Sequence, residues 1–445
     1  MPCTPHENPG HANAPLTFAV STVGCKVNQY DSQVIREHLA GLGHRETPFR
    51  SEADLYVINT CTVTRKADER CRRQVRRALR RNPQARVVVT GCGARTNPEQ
   101  FSAIPGVSAV LTLDQMPRLE QWLAENCEPP AVGRFETQGI SGFAKHSRAF
   151  LKIQDGCSAH CSYCIVPTAR GPAQSRPLEQ IGPETARLVE AGFREIVLTG
   201  IHLGHYGRET RGTTTLADAM RAVLDVPGVE RLRLSSLEAM EVTDEIIALA
   251  AADSRVCPHF HLPLQSGDDT VLQRMNRRYT AAEFLRVLDR VRTRLDRPSF
   301  TTDVMVGFPG ETESHFENTL RVCRDAGFSR IHIFPFSPRT GTPAAGFPDQ
   351  VEREVIQDCE ARLHDVADTL ALEYKQLFMG ETVHPLAEHK RDKKSGLLCG
   401  WTARYLRTLF EGPDDLAGRI VPVTVKDITP AHLKGTRVSK TANQY

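Results

Sequence analysis

The stretch Gly156-Cys157-Ser158-Ala159-His160-Cys161-Ser162-Tyr163-Cys164 decides how the whole chain is read. Three thiols fall within eight residues at the spacing C-x3-C-x2-C. One loop can therefore grip a small inorganic centre without distant parts of the fold converging. Four cysteines are the usual ligation of a cubane iron–sulfur cluster, and three leave one iron open to a small molecule. Structural zinc is the alternative. It asks for a closed tetrahedral shell, often from two C-x2-C pairs. No second pair is present, so Cys257 or His160 would have to complete it.

Downstream of this loop the chain alternates. A strand over 148–154 delivers the loop, and further strands read at 195–199, 231–235, 259–264, 300–306 and 330–335. Helical stretches around 186–191, 216–224, 284–295 and 316–326 separate them. Six strand–helix repeats are two short of a closed eightfold barrel. Such an incomplete barrel is open along one side, wide enough for a macromolecular substrate. Residues just past each strand line the active face of such barrels. Those positions hold Gly200 and His202, Ser235 and Ser236 with Glu238, Gln265-Ser266-Gly267, Asp303 with Gly307, and Phe336-Ser337. The polar ones suit an amino acid moiety and a ribose, and the glycines allow close backbone approach. Each alone is an ordinary turn-former.

Upstream, a strand over 16–24 runs into Cys25, a second over 54–60 ends at Cys61, and a third over 86–91 ends at Cys92. A helical pattern follows each of the three cysteines. The separations of 36 and 31 residues match strand–helix–strand units, so the three strands should be parallel neighbours. Ligands of open parallel sheets bind beyond the carboxyl ends of the strands, where each of these cysteines falls. A second cluster site is the inference. The plain alternative is three small residues in tight turns beside Gly24 and Gly91.

The pattern weakens from 108 to 147, with Trp122 and Leu123 on a helix and Pro129-Pro130 in a linker. Residues 351–377 form a long amphipathic helix with Val355, Cys359, Leu363, Val366, Leu370 and Tyr374 in one stripe. After Gly380 come short alternating runs split by Gly or Pro, the texture of a small barrel of strands. The domains expected are a disordered tail over 1–15, a three-layer parallel-sheet domain over 16–130, a linker over 131–147, a barrel core over 148–377 and a β-barrel over 378–445.

No run of 18 apolar residues is present, and the beginning lacks the pattern of a secretory signal, so the default is a cytoplasmic protein with no membrane partner. Thirteen cysteines in that reducing compartment point to ligation instead of disulfides. Cys3, Cys71, Cys127, Cys257, Cys323, Cys359 and Cys399 have no ligand-like spacing and read as packing or surface. Net charge is only +3, but nine Lys or Arg stand against two acids between Arg65 and Arg81. Eleven stand against seven from 378 on. Both are candidates for tracking phosphates.

With these parts placed, the chain resembles the methylthiotransferases, a family of radical S-adenosylmethionine enzymes. The likeness rests on Val23-Gly-Cys25-Lys-Val-Asn-Gln-Tyr-Asp31, Asn59-Thr-Cys61-Thr-Val-Thr64, Thr90-Gly-Cys92, Gln154-Asp-Gly-Cys157 through Gly171, Ser235-Ser-Leu-Glu238 and His261-Leu-Pro-Leu-Gln-Ser-Gly267. The resemblance implies an α/β multidomain fold: a parallel-sheet domain, a partial (β/α)6 TIM-like radical core and a TRAM-like RNA-binding barrel. It implies two [4Fe-4S] clusters, with Cys157, Cys161 and Cys164 holding the radical-generating one. Cys25, Cys61 and Cys92 would hold an auxiliary cluster bearing the sulfur. S-adenosyl-L-methionine would lie against Gly200, Ser235, Ser236, Glu238, Gln265 and Asp303.

Gly-Cys-Lys-Val-Asn-Gln-Tyr resembles the branch acting on tRNA at the threonylcarbamoyl adenosine beside the anticodon. The product would be its 2-methylthio derivative. The partners implied are the tRNA anticodon loop and an electron donor such as a flavodoxin or ferredoxin, and a monomer is expected. Alternative readings are a methylthiotransferase for isopentenyladenosine or for a ribosomal-protein aspartate, and a non-catalytic iron–sulfur RNA-binding protein. Two positions depart from the family pattern. Gly93 and His160 stand where aromatics are common, and the last dozen residues match nothing.

Overall fold

The computed structural model describes residues 15–125, 131–133, 135, 139–143, 146–210 and 214–438. The expected tail up to residue 14, Cys3, Cys127, Pro129-Pro130 and the end from residue 439 lie outside the described residues. The chain forms two compact units that do not follow its order. The first takes Met1–Gly142 together with Asp155–Ala159 and Cys164–Pro177, and the second takes the remainder.

In the first unit β1 (Thr17–Thr22), β2 (Leu55–Thr60) and β3 (Arg86–Gly91) are adjacent and parallel in that order. Two-residue strands at Arg45–Glu46 and Ala109–Val110 flank them. Every residue of β2 is buried, as expected of a parallel strand covered on both faces. Alternate residues supply the two faces. Ala19, Tyr56, Ile58, Val87 and Val89 pack under Cys71, Val75 and Ala78 of α2 (Arg65–Arg81). Phe18, Val20, Leu55, Val57 and Val88 pack against Ile35 and Leu39 of α1 (Lys26–Gly41) and against Trp122. The result is helix, sheet and helix in three layers.

In the second unit β4 (Ala149–Lys152), β5 (Glu195–Thr199) and β6 (Arg231–Leu234) make one parallel sheet. A second joins β7 (His259–His261), β8 (Ser299–Val306) and β9 (Arg330–Pro335). Parallel bridges Leu232↔Val256 and Ser236↔His261 run between them. Strand bounds follow local chemistry: β7 stops before Pro263, which has no N–H to donate. Several intervening helices begin where the sequence supplies a cap, as at Thr215, whose hydroxyl and Asp218 complete a capping box for Leu216–Leu224.

The long helix, α3 (Arg353–Gln376), is where expected, but its apolar stripe is shifted. Cys359, Leu363 and Leu370 are buried with Ala367, Ala371 and Lys375, whereas Val355 is 45% exposed and Val366 and Tyr374 are half-buried. Small residues face the strands because they let the helix lie close.

Six short strands close the chain: β10 (Thr382–Val383), β11 (Leu386–Ala387), β12 (Leu398–Trp401), β13 (Arg407–Phe410), β14 (Val423–Ile428) and β15 (Leu433–Arg437). They form one sheet in the order β10-β14-β15-β13-β12-β11. The sheet curls, since a bridge from Leu386 reaches Ile420 just before β14. Phe378, Leu398, Phe410, Val423 and Leu433 fill its inside.

The amino-terminal edges of β4, β5 and β6 hold this sheet through charge. Glu195 is fully buried; Arg233 Nε donates to it at 2.7 Å, with Arg148 and Arg231 at 3.7 and 3.6 Å. The arginines then donate outward to backbone carbonyls of Trp401, Thr402 and Ala403. Burial alone would raise the Glu195 carboxyl, but Arg233 and Arg148 take it down to about 2 from an ordinary 4.5. The contribution is therefore complete above the unfolded value near 4.5 and is lost as pH falls through 4.5 toward 2. In acid unfolding followed by circular dichroism, wild type should lose about 3 kcal/mol across that window. Glu195→Gln should start less stable by a similar amount and lack that component.

Candidate active site

Each upstream cysteine stands where a strand of the first unit ends. Cys25 caps α1 after β1, Cys61 follows β2, and Cys92 opens a short helix after β3. Because the strands are neighbours, so are the thiols. A Cβ added to Gly24, at φ +129°, would lie 3.1 Å from Cys61 Cβ and 2.9 Å from the Asn28 amide. Only glycine allows the Cys25 turn to come so near. Gly91 is similar, at φ +94° and pressed on Asn59 and Thr60. The departure at Gly93 also has a cause: a Cβ there already meets Thr60 and Phe101 at 3.0–3.3 Å, so an aromatic has no room.

Electrostatics describes what such a trio can hold. Burial pushes the Cys61 thiol up to about 12, and the neighbouring Cys92, Cys25 and Cys71 push the same way. Burial likewise raises Cys92, against Arg170. Three thiolates side by side, two of them buried, are unfavourable unless positive charge lies between them, which a metal centre supplies. Among the described residues, the trios with all ligand atoms within 4.8 Å of one another are His202, His205, Glu241 and His261, Asp303, His332. A tetrahedral zinc with 2.3 Å bonds would need sulfurs roughly 3.8 Å apart. In a cluster each thiolate takes its own iron, so the sulfurs need not approach so closely.

Arg170, on the helix Val166–Arg170 that follows the cysteine loop, is 3% exposed and uses all five donors in the first unit. Nε donates to Cys92 Sγ at 3.2 Å. Nη1 donates to both Asp155 oxygens at 3.0 and 3.1 Å, and Nη2 to Asn28 Oδ1 at 2.9 Å and Asp31 Oδ2 at 2.8 Å. Asn28 in turn accepts from Cys25 Sγ at 3.5 Å and donates to the Val23 and Thr60 carbonyls. One guanidinium thus orders the surroundings of two of the three thiols.

In the loop itself Cys157 N–H donates to Gly171 O, and Ala159 N–H points at Cys157 Sγ at 3.4 Å. In the second unit Ser162 is tied to the carbonyls of Arg274 and Met275, and the His160 carbonyl accepts from Asn276. Arg277 Nη1 lies 3.6 Å from Cys161 Sγ and Nη2 pairs with Glu238. Cys257 is buried at the amino-terminal edge of the strands, its N–H on Leu232 O, beside Arg233 and Glu195. It is not placed to complete a zinc shell, since the loop leaves from the carboxyl ends.

Of the six residues expected to hold S-adenosylmethionine, Gly200, Ser235, Ser236, Glu238 and Gln265 follow the carboxyl ends of β5, β6 and β7, whereas Asp303, expected past a strand, lies within β8. Gly200 sits against Gln154, where a Cβ would meet Gln154 at 2.9 Å. Ser235 Oγ is buried with no hydrogen-bond partner among the described residues, so a ligand's polar group could satisfy it. Ser236 bridges to His261, whose Nε2 is 3.4 Å from Asp303 Oδ2. Gln265 takes the left-handed region at φ 63°, with its N–H on Asp303 O. Glu238 reaches the cysteine loop through Arg277.

Sequence reasoning named His202 but missed its partners. Glu241 Oε1 lies 2.9 Å from His202 Nε2 and 3.3 Å from His205 Nε2, with the two rings stacked at 3.8 Å. The three ligand atoms lie within 4.8 Å of one another, so the trio gathers two imidazoles about one carboxylate. Burial lowers His205. Arg170 and Arg277 were also unassigned. Arg170 falls inside the motif that runs from Gln154 to Gly171, but nothing local marks either arginine as buried.

Two family models match the chain: an uncharacterized protein family, UPF0004, over residues 17–112, and the Radical SAM superfamily over 151–323. A threonylcarbamoyladenosine tRNA methylthiotransferase MtaB from Bacillus subtilis is 39% identical over 92% of this chain and 93% of its own. One of the same name from Thermotoga maritima is 36% identical over 93% and 95%. A tRNA-2-methylthio-N(6)-dimethylallyladenosine synthase from Carboxydothermus hydrogenoformans is 32% identical over 96% and 100%. Among solved structures, the radical S-adenosylmethionine methyltransferase TsrM from Kitasatospora setae superposes with a TM-score of 0.56 at 16% identity, over 75% of this chain and 77% of that one.

Truncating Arg170 strands two buried carboxylates, Asp31 and Asp155. Arg170→Ala should destabilise the cluster-free protein by about 3–5 kcal/mol in urea unfolding. Arg170→Lys, which keeps the charge and loses the fork, should recover only part. An unchanged midpoint for the Ala variant would contradict the network.

Proposed function

The chain belongs to the threonylcarbamoyladenosine tRNA methylthiotransferases, a radical S-adenosylmethionine family, and we propose how its own residues divide that work. The protein transfers a methylthio group to carbon 2 of N6-threonylcarbamoyladenosine, next to the anticodon of tRNA, using S-adenosylmethionine and [4Fe-4S] clusters. The observation that carries this is kinship over 84–93% of the chain, at 34–40% identity, to four relatives of that one name. The isopentenyladenosine, ribosomal-protein and non-catalytic readings are not favoured.

In the proposed division of residues, Cys157, Cys161 and Cys164 hold the radical-generating cluster and Cys25, Cys61 and Cys92 the auxiliary one. Bound there, these groups supply the electron that opens the cofactor's carbon–sulfur bond and the sulfur that is transferred. Arg277 positions Glu238 beside the loop, and both fit the amino acid end of S-adenosylmethionine. The unpartnered Ser235 hydroxyl, Ser236, Gln265 and Asp303 are placed for its polar groups, and Gly200 for close backbone approach. Arg170 holds Cys92, and the buried setting of Cys61 and Cys92 keeps water from the sulfur.

We further assign the two three-stranded sheets to a partial (β/α)6 barrel and the curled β10–β15 sheet to a TRAM-like RNA-binding module. Their proposed bounds are 148–377 and 378–445, after a sheet domain over 16–130 and a linker over 131–147. Among the described residues no helix is long and apolar enough to cross a membrane. A cytoplasmic monomer served by a flavodoxin or ferredoxin is the proposed setting. Nucleoside mass spectrometry of tRNA from cells with and without the gene should show 2-methylthio-threonylcarbamoyladenosine replaced by its unmodified precursor. An unchanged nucleoside profile would reject the assignment.

A further inference from the structure

The helix α2 carries a feature that the transfer reaction leaves unused. Lys66, Arg70, Arg73, Arg77 and Arg80 recur at spacings of four, three, four and three, so they stand within one narrow sector of the helix. All five are exposed. The opposite sector, Cys71, Val75 and Ala78, is buried on the sheet, so the stripe faces outward by necessity. Among the described residues the ion pair made by an α2 cation is Arg65 with Glu69 at 3.6 Å, and it lies outside the stripe. Like charges at such spacing oppose the helix by a few tenths of a kcal/mol each. A stripe of five without neutralising carboxylates is what an anionic strand would compensate.

Where the helix begins says which strand. Thr64 caps α2 three residues beyond Cys61, its hydroxyl accepting from Ala67 N–H. Cys61 N–H points at Cys71 Sγ at 3.4 Å, and Cys71 Sγ at the Cys61 carbonyl at 3.6 Å. The first two turns are thus fastened to a cysteine of the auxiliary trio. Val63, between the two, is 53% exposed. From Lys66 to Arg80 the stripe runs about 21 Å at 1.5 Å per residue. An RNA strand whose target base lies at the thiols must pass within that reach.

We infer that α2 is a phosphate rail for the anticodon stem-loop, engaging the backbone of the strand that leads to the modified adenosine. The inference rests on the reading that tRNA is the substrate. It adds a second RNA surface, on the first unit, beside the one assigned to the carboxy-terminal sheet. Phosphate binding of this kind carries no sequence information and responds steeply to salt.

The test is binding by fluorescence anisotropy across a potassium chloride series, with full-length, cluster-loaded protein, whole tRNA and the isolated anticodon stem-loop. Glutamine keeps helix propensity, so Arg70→Gln/Arg73→Gln/Arg77→Gln should preserve the melting temperature and iron content. It should flatten the slope of log K against log salt by about two to three, at about 0.7–0.9 for each phosphate no longer neutralised. The stem-loop should show the same loss as whole tRNA. The single reversal Arg77→Glu, which disturbs the helix least, should weaken both at low salt by tenfold or more. An unchanged slope in a folded triple variant would overturn the inference, as would a loss seen with whole tRNA but not with the stem-loop. Should wild type bind neither RNA, the substrate reading itself would fail.

Discussion

An acidic group drawn out of water needs a positive partner, and five arginines of this chain meet that need where the fold is most constrained. Arg170 does so for Asp31, Asp155 and Cys92. Arg277 does so for Glu238 and Cys161, and Arg233, with Arg148 and Arg231, for Glu195. In each case the planar fork has several acceptors in fixed directions, which a lysine could not serve. Without these cations the cysteine turns would have no fixed geometry, and the curled sheet would lose its tie to the strands of its own unit.

The thiols complete the same logic. Parallel strands joined by helical crossovers set successive carboxyl ends side by side, so residues 25, 61 and 92 become neighbours although dozens of positions separate them. Burial raises the thiols of Cys61 and Cys92, so a cationic centre would stabilise the thiolates of this site. A cluster, in which each thiolate takes its own iron, does not ask the trio for the roughly 3.8 Å that one zinc demands.

Much of this was legible in the sequence because it depends on local pattern. The three upstream strands and the six of the core announce themselves by short apolar runs, and the cysteine spacing by itself places a loop. Leu216–Leu224 could be read to the residue because Thr215 and Asp218 mark its start. What was not legible depends on partners far along the chain. Arg170 looks like any surface arginine until Asp31, 139 positions away, is brought beside it. The stripe of α3 was misplaced because alanines and the stem of Lys375 fill the interface in place of Val355. The strands Leu398–Trp401 and Leu433–Arg437 carry glycines that hide their alternation.

The central claim is that two thiol trios hold two separate clusters, one of them on Cys25, Cys61 and Cys92. Iron analysis with Mössbauer spectroscopy on the anaerobically reconstituted Cys25→Ala/Cys61→Ala/Cys92→Ala variant tests it most directly. The account predicts about four irons per chain where the wild type holds about eight, with the remaining cluster still changing spectrum on adding S-adenosylmethionine. A folded variant that kept the full iron content of the wild type would contradict it.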